Sequence, residues 1–112
     1  MKKIFHEIGA DDQDIFHLLS IQNDWLNRFP HELSGGELQR FSIARALGEG
    51  TEFIIADEIT SMFDAVTQAQ IWHAILPLVK RRQMGMLVIS HDLYLLENIC
   101  DRLINFNELK NV

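Results

Sequence analysis

The stretch FIIADE at residues 53–58 decides how this sequence folds. Four apolar residues in a row, followed by charged ones, are typical of a short strand buried on both faces of a parallel sheet. A second run of this kind, MLVI at residues 86–89, leads into the triplet SHD at residues 90–92. We therefore predict two buried parallel strands, and a third at residues 103–106, where the sequence is LINF.

Helices are predicted between and around these strands, from apolar residues that recur every three or four positions. The predicted helices cover residues 11–21, 35–47 and 66–82, and a fourth ends near Cys100. Pro77 predicts a kink or a restart within the third helix. Strands that alternate with helices indicate an α/β fold with a parallel sheet.

Length and composition exclude several classes of protein. The chain has 112 residues, 47% of them hydrophobic, which indicates one globular domain or part of one. Its formal net charge of −6 disfavours a nucleic-acid partner. No apolar run approaches the roughly 20 residues that cross a bilayer, and the first residues do not resemble a signal peptide. We expect a cytoplasmic protein.

The segment LSGGE at residues 33–37 carries the strongest local signal. Ser34 and Glu37 have the spacing of a capping box, so one interpretation is a well-capped helix, with a cap worth ~1 kcal/mol. Gly35 and Gly36 do not fit that interpretation alone, because each glycine lowers the stability of a helix by ~1 kcal/mol. Glycines do let a phosphate approach the backbone N–H groups at a helix N-terminus. The segment therefore favours an anion-binding site.

Carboxylates and a histidine follow the two predicted strands. Asp57 and Glu58 come after the first strand and His91 after the second, and ligands bind beyond this edge of a parallel sheet. The alternatives are a solvated turn for the carboxylates and a structural role for the histidine. The functional interpretation is that Asp57 helps to hold Mg²⁺, Glu58 activates water, and His91 hydrogen-bonds a terminal phosphate.

Five segments in this order resemble the C-terminal half of an ATP-binding-cassette (ABC) ATPase, over residues 24–107. They are FPHELSGGELQR at residues 29–40, like the signature region; SIARAL at 42–47, its continuation; IIADE at 54–58, like Walker B; TSMFD at 60–64, like the D-loop; and His91, at the switch-histidine position. The resemblance implies a partial P-loop NTPase domain with parallel strands and flanking helices. Residues 1–50 would be the C-terminal part of the helical signature subdomain, and residues 51–112 the C-terminal part of the RecA-like ATPase core.

The resemblance also implies roles in binding and hydrolysing ATP. The signature residues 34–37 would contact the γ-phosphate of ATP bound on an opposing subunit. Asp57 would support Mg²⁺, directly or through water, and Glu58 would act as the catalytic base. His91 would sense the γ-phosphate.

Partners follow from the same resemblance. Ser61 and Asp64 would communicate with a second ATPase subunit, and transmembrane permease subunits would hold the pair at the cytoplasmic face of the membrane. PHEL at residues 30–33 and QAQI at 68–71 resemble the oligopeptide, dipeptide and nickel importer branch. The chain would then couple ATP hydrolysis to the import of a solute such as a peptide or nickel.

Some residues depart from the family pattern, and two alternative functions stay open. Ile59 stands where a Pro usually follows the catalytic Glu, and Phe63 replaces the usual Leu of the D-loop, so we expect altered loop geometry with the catalytic groups retained. Glu37, where many transporters have Gln, also resembles the chromosome and DNA-repair ATPases. One alternative is the tail lobe of such an ATPase. The other is a non-catalytic module that donates only its signature to another subunit's nucleotide.

The sequence has no Gly-x-x-x-x-Gly-Lys-Ser/Thr segment, which forms the phosphate-binding loop (P-loop) of these ATPases. We therefore expect the chain by itself to bind ATP and Mg²⁺ weakly or not at all. In the family, the P-loop strand lies between the strand before His91 and the strand at residues 103–106. Its absence would leave open strand edges, which promote pairing with other chains, so we expect the isolated chain to self-associate.

Overall fold

The computed structural model describes residues 10–109, in which two strands lie among five α-helices. Two short 3₁₀ turns, Asn23–Asn27 and Pro30–Glu32, precede the second helix. The elements in chain order are α1 (Ala10–Leu18), α2 (Gly35–Ala46), β1 (Phe53–Asp57), α3 (Ala65–Arg81), β2 (Gly85–Ile89), α4 (Leu93–Ile99) and α5 (Phe106–Leu109).

Strands β1 and β2 form a parallel sheet joined by helix α3. The register pairs Phe53 with Gly85 at one end and Asp57 with Ile89 at the other. This confirms the predicted α/β architecture, and it brings the carboxyl ends of both strands to one edge. Helix α3 runs through Pro77 as one continuous α-helix, so the predicted restart does not occur.

The prediction that both strands are buried on both faces is wrong. Along β1, Ile54 and Ala56 are 8% and 1% exposed, whereas Phe53 and Ile55 are 62% and 63% exposed. The buried pair joins one apolar cluster with residues of α2 and α3. Since the described helices cover only that face, the other face of the sheet presents apolar side chains to solvent.

The predicted third strand at residues 103–106 is also wrong. Residues 103–105 have no regular structure, and helix α5 begins at Phe106. A strand needs a neighbour for its backbone hydrogen bonds, and within residues 10–109 the sheet contains only β1 and β2. Asn105 instead accepts the Asn107 backbone N–H on its side chain at 2.9 Å, an Asx turn that favours the start of a helix.

Aromatic and arginine side chains hold the helices together. Phe41 of α2 is 1% exposed, and its ring packs edge-on against the rings of Phe16 and Trp25. Arg40 donates to the Leu19 carbonyl at 2.6 Å, just beyond the end of α1, and Arg82 donates to the Leu47 carbonyl at 2.7 Å, at the end of α2. Carbonyls at helix ends lack partners within the helix, so these two bonds satisfy carbonyls at the ends of α1 and α2 and tie those ends to α2 and to the end of α3.

Candidate functional site

Glu58 ties the ends of the two strands together. It follows β1 with a φ of 53°, in the left-handed region that non-glycine residues rarely adopt. Its backbone N–H donates to the Ile89 carbonyl at 2.9 Å, and its side-chain Oε1 accepts the His91 backbone N–H at 3.0 Å. Such backbone strain persists only where the surroundings enforce it, and it is common at functional sites.

The His91 imidazole lies in solvent beside this carboxylate. Its side chain is fully exposed, and its Nε2 is 3.9 Å from Glu58 Oε1. The next residue, Asp92, caps helix α4 by accepting the Leu95 backbone N–H at 3.1 Å. The backbone of His91 is thus fixed from both sides, while its ring can reach a ligand.

Glu58 and His91 line an open groove of about 680 Å³ at the carboxyl ends of the strands. One wall comes from the loop after Glu58 and the start of α3, and the other from the residues that follow β2. Polar members of the lining include Ser61, Gln68 and Ser90. The structure therefore brings the predicted base and the predicted phosphate sensor to one cavity.

Asp57 lies apart from that groove. It is the last residue of β1 and shares the exposed face with Phe53 and Ile55, since side chains alternate along a strand. The two adjacent carboxylates therefore do not converge on one point. Within the described part of the chain, no three His, Cys, Asp or Glu side chains are grouped to hold a metal ion.

This arrangement fits a Mg²⁺ ion that takes most of its coordinating oxygens from nucleotide phosphates and water, and few from the protein. Mg²⁺ in nucleotide sites is commonly bound through one or two carboxylates together with phosphate oxygens and water. Asp57 offers one exposed carboxylate of that kind.

The signature segment forms the start of helix α2. Ser34 is the N-cap and accepts the Glu37 backbone N–H on its Oγ at 3.2 Å, which confirms the predicted cap. In a complete capping box the Glu37 carboxylate would also accept the Ser34 backbone N–H. That hydrogen bond is not present among residues 10–109. The Glu37 Oε2 is buried without a hydrogen bond, 3.9 Å from an Arg28 guanidinium nitrogen.

The two signature glycines lie against the loop that resembles a D-loop. A Cβ added to Gly36 would meet the Phe63 ring at 3.4 Å, and one added to Gly35 would lie 4.0 Å from the Met62 sulfur. The Phe63 ring also lies 5.6 Å below the Arg40 guanidinium. Phe63, which departs from the family pattern, therefore fills the space between this loop and α2.

Ser61 and Asp64 both have partners within the chain. Ser61 Oγ donates to the Glu58 carbonyl at 3.0 Å, and Asp64 caps α3 by accepting the Thr67 backbone N–H at 2.7 Å. That backbone hydrogen bond is the main cause that holds the pKa of the Asp64 carboxyl below its ordinary value. Their predicted role across a dimer stays a prediction.

Sequence reasoning missed two side chains that fix the loop after Glu58. Gln39 Nε2 donates to the Ile59 carbonyl at 2.7 Å, which ties α2 to this loop. Thr60 is 2% exposed, and its hydroxyl is hydrogen-bonded to Gln68 and Trp72. Both residues lie in segments that carry the family resemblance, the signature region and the D-loop-like segment, but only the three-dimensional contacts show what their side chains do.

The Asp64 cap should make stability depend on pH. Because the pKa of Asp64 is lower in the folded than in the unfolded chain, its contribution is present above the ordinary value of 3.8 and is lost as the pH falls through the folded value. We expect Asp64→Ala to lower the urea midpoint of unfolding at neutral pH, and to lower it less in acid.

Asp64→Asn is the matched control, because Asn caps a helix about as well as Asp but does not titrate. Its midpoint at neutral pH should stay close to that of the unsubstituted chain. An equal loss for Asp64→Ala at both pH values would contradict the assignment.

Comparison with known proteins shows which family shares these features. The sequence profile of the ABC transporter family matches residues 2–61. A Brucella ovis protein named for peptide import and ATP binding is 49% identical over 81 residues, 72% of this chain and 26% of that protein. The oligopeptide transport ATP-binding protein OppF of Streptococcus mutans is 43% identical over 94 residues, 84% of this chain and 30% of that protein. The solved dimeric structure of MJ0796, a bacterial ABC transporter cassette, matches 80% of this chain and 41% of that chain, with a TM-score of 0.66 and 25% identity.

The parallel β1–α3–β2 unit, with its groove at the carboxyl ends of the strands, belongs to a chain that matches part of a solved ABC transporter cassette. Since the family profile matches more than half of its residues, this chain belongs to the ABC transporter family. It spans only 26% to 30% of the length of the two relatives named above. Among residues 10–109, none of the helices combines the length and apolar character that membrane crossing requires.

Proposed function

We propose that this chain is the hydrolytic, C-terminal portion of the ATP-binding subunit of a peptide importer. The observation that carries the proposal is the Glu58 carboxylate, held at the groove by the His91 backbone N–H at 3.0 Å. The names of the Brucella ovis and Streptococcus mutans relatives support peptides as the transported class.

Glu58 would act as the general base of ATP hydrolysis. Its Oε1 is occupied by the His91 N–H, so Oε2 is the oxygen available to accept a proton from the attacking water. The carboxylate is 34% exposed, which leaves room for that water. The hydrogen bonds that hold the backbones of Glu58 and His91 keep this geometry. Positioned proton transfer of this kind contributes typically 10²–10⁴-fold to rate.

The other site residues would handle the phosphates. The exposed His91 ring would donate a hydrogen bond to the terminal phosphate. Mg²⁺, when bound, would neutralise phosphate charge, and Asp57 would supply one of its oxygen ligands. Residues 34–37, at the N-terminus of α2, would contact the γ-phosphate bound by an opposing subunit, where backbone N–H groups favour an anion.

The wider assembly belongs to the same proposal. Residues 1–50 would belong to a helical signature subdomain and residues 51–112 to an ATPase core. A second ATPase subunit would face residues 34–37, Ser61 and Asp64, and permease subunits would hold the complex at the cytoplasmic face of the membrane. The solved relative, a dimeric cassette, supports the pairing of two such subunits.

Complementation tests this proposal directly. The chain would be co-expressed with the amino-terminal, P-loop-bearing half of an ABC ATPase such as the Streptococcus mutans relative. The complemented chain is this chain together with that added half. We expect Mg²⁺-dependent ATP turnover from the mixture and none from either part alone, with loss of turnover when the P-loop Lys of the added half is replaced by Ala. A stable mixture that binds ATP without turning it over would support the non-catalytic module instead.

A further inference from the structure

We infer that Thr60 is a positioning residue for Glu58, because its buried hydroxyl fastens the loop that carries this carboxylate to helix α3. The inference rests on the catalytic role proposed for Glu58 and adds a residue to which no role has been given. It is drawn from hydrogen bonds that converge on Thr60 in the wall of the groove.

Among the residues that the structure describes, Thr60 is the one polar or charged residue that is buried as a whole, at 2% exposure. Trp72 Nε1–H donates to Thr60 Oγ1 at 3.0 Å, and the hydroxyl lies 2.8 Å from Gln68 Oε1. An indole N–H can only donate and an amide oxygen can only accept, so the Thr60 hydroxyl accepts from Trp72 and donates its own proton to Gln68 Oε1. The direction of both bonds is therefore fixed, and the hydroxyl satisfies both α3 side chains.

Thr60, whose hydrogen bonds anchor the loop to α3, lies two residues after the strained backbone of Glu58. Glu58 has a φ of 53°, and a left-handed non-glycine residue is retained only when its neighbours hold it. Backbone contacts hold Glu58 itself, through the Ile89 carbonyl and through Ser61, which donates from its Oγ to the Glu58 carbonyl. Ile59 and Phe63 of the same loop pack against the apolar cluster, and Thr60 adds the hydrogen bonds that tie the loop to α3.

The anchor and the carboxylate share the groove. Glu58, Thr60, Gln68 and Trp72 all line it. Without the hydroxyl, the Trp72 indole N–H would be buried with no partner, which is unfavourable. The loop would then shift to let water reach Trp72, and the Glu58 carboxylate would move with it.

Two substitutions separate the hydroxyl from the shape of the side chain. Thr60→Val keeps the shape and removes the hydroxyl, while Thr60→Ser keeps the hydroxyl and removes a methyl group. The His91 amide hydrogen, which bonds Glu58 Oε1, reports the position of the carboxylate through its exchange rate with solvent. The Ala56 amide serves as a reference for the stability of the whole chain. Glu58 donates its N–H to Ile89, so the alternate N–H of Ala56 in β1 is also directed at β2 by the parallel register.

In the 112-residue chain, we expect Thr60→Val to speed exchange at His91 roughly tenfold more than at Ala56. The Trp72 indole N–H resonance should shift in the same variant, and Thr60→Ser should restore both signals. A purely structural role would speed the His91 and Ala56 amides by the same factor, and that result overturns the inference. If Thr60→Val does not fold, Gln68→Met removes only the acceptor of the hydroxyl proton, and its His91 exchange must rise in the same direction.

Activity provides a second, separate readout. In the complemented chain, Thr60→Val should lower kcat roughly 10²-fold with little change in KM, as expected when a catalytic group is misplaced by about 1 Å. Thr60→Ser should recover most of kcat. Absence of turnover in the unsubstituted mixture would count against the proposed function, whereas the His91 exchange decides the role of Thr60 in either case.

Discussion

Glu58→Gln should lower the ATP turnover of the complemented chain by roughly 10²–10⁴-fold, the usual contribution of a positioned general base. Gln has nearly the same shape and can still accept the His91 backbone N–H through its amide oxygen, so the groove should keep its geometry. Its amide nitrogen cannot take a proton from water. Nucleotide affinity should therefore stay within about twofold, since uniform binding does not depend on the base. Steady-state turnover and calorimetric titration of ATP measure the two effects separately.

Glu97→Gln is the matched control for this substitution. Glu97 is an exposed residue of helix α4 and does not line the groove, so the same change of charge should leave turnover unaltered. Equal turnover in the unsubstituted mixture and in Glu58→Gln would remove Glu58 from the mechanism. The chain would then act only by donating its signature segment.

The features predicted correctly from sequence are those set by local pattern. The apolar run before Asp57 and Glu58 and the helical spacing after Asp64 are enough to specify a β–α–β unit, because the parallel connection needs a crossover helix. Since parallel strands end at the same edge of a sheet, the same pattern predicts that Glu58 and His91 lie together. The spacing of Ser34 to Glu37 predicts a cap, and the hydrogen bond to the Glu37 N–H confirms it.

The features missed from sequence depend on contacts between segments that lie apart in the sequence. The run at residues 103–106 looks like a strand, but a strand also needs a partner, and Asn105 directs the chain into a turn instead. The role of Thr60 could not be predicted, because its two partners come from the next helix and a threonine in a polar loop is usually exposed. The apolar run at residues 53–56 predicted burial on both faces, and the structure covers only one.

The open face of the sheet should make the isolated chain self-associate. Its apolar side chains are spread over both strands: Phe53, Ile55, Leu87 and Ile89 are exposed by 62%, 63%, 46% and 38%. We expect concentration-dependent dimers or larger species in sedimentation velocity. The double variant Ile55→Thr, Leu87→Thr should shift the chain toward monomer, because Thr suits a strand but offers less apolar area. With ~1 kcal/mol lost for each of four side chains in a dimer, Kd should rise roughly a thousandfold.

The control removes equally exposed apolar side chains from elsewhere on the surface. Val66 and Leu93, at 68% and 60% exposure, lie at the starts of α3 and α4 and not on the sheet, so Val66→Thr, Leu93→Gln should leave the association unchanged. If both double variants weaken association equally, general surface hydrophobicity is the cause and the sheet face is not specific. If the unsubstituted chain sediments as a monomer at every concentration, the open face does not drive association at all. Adding the P-loop-bearing half should suppress self-association only if it covers this face, so the same measurement tests whether that half packs on the exposed sheet.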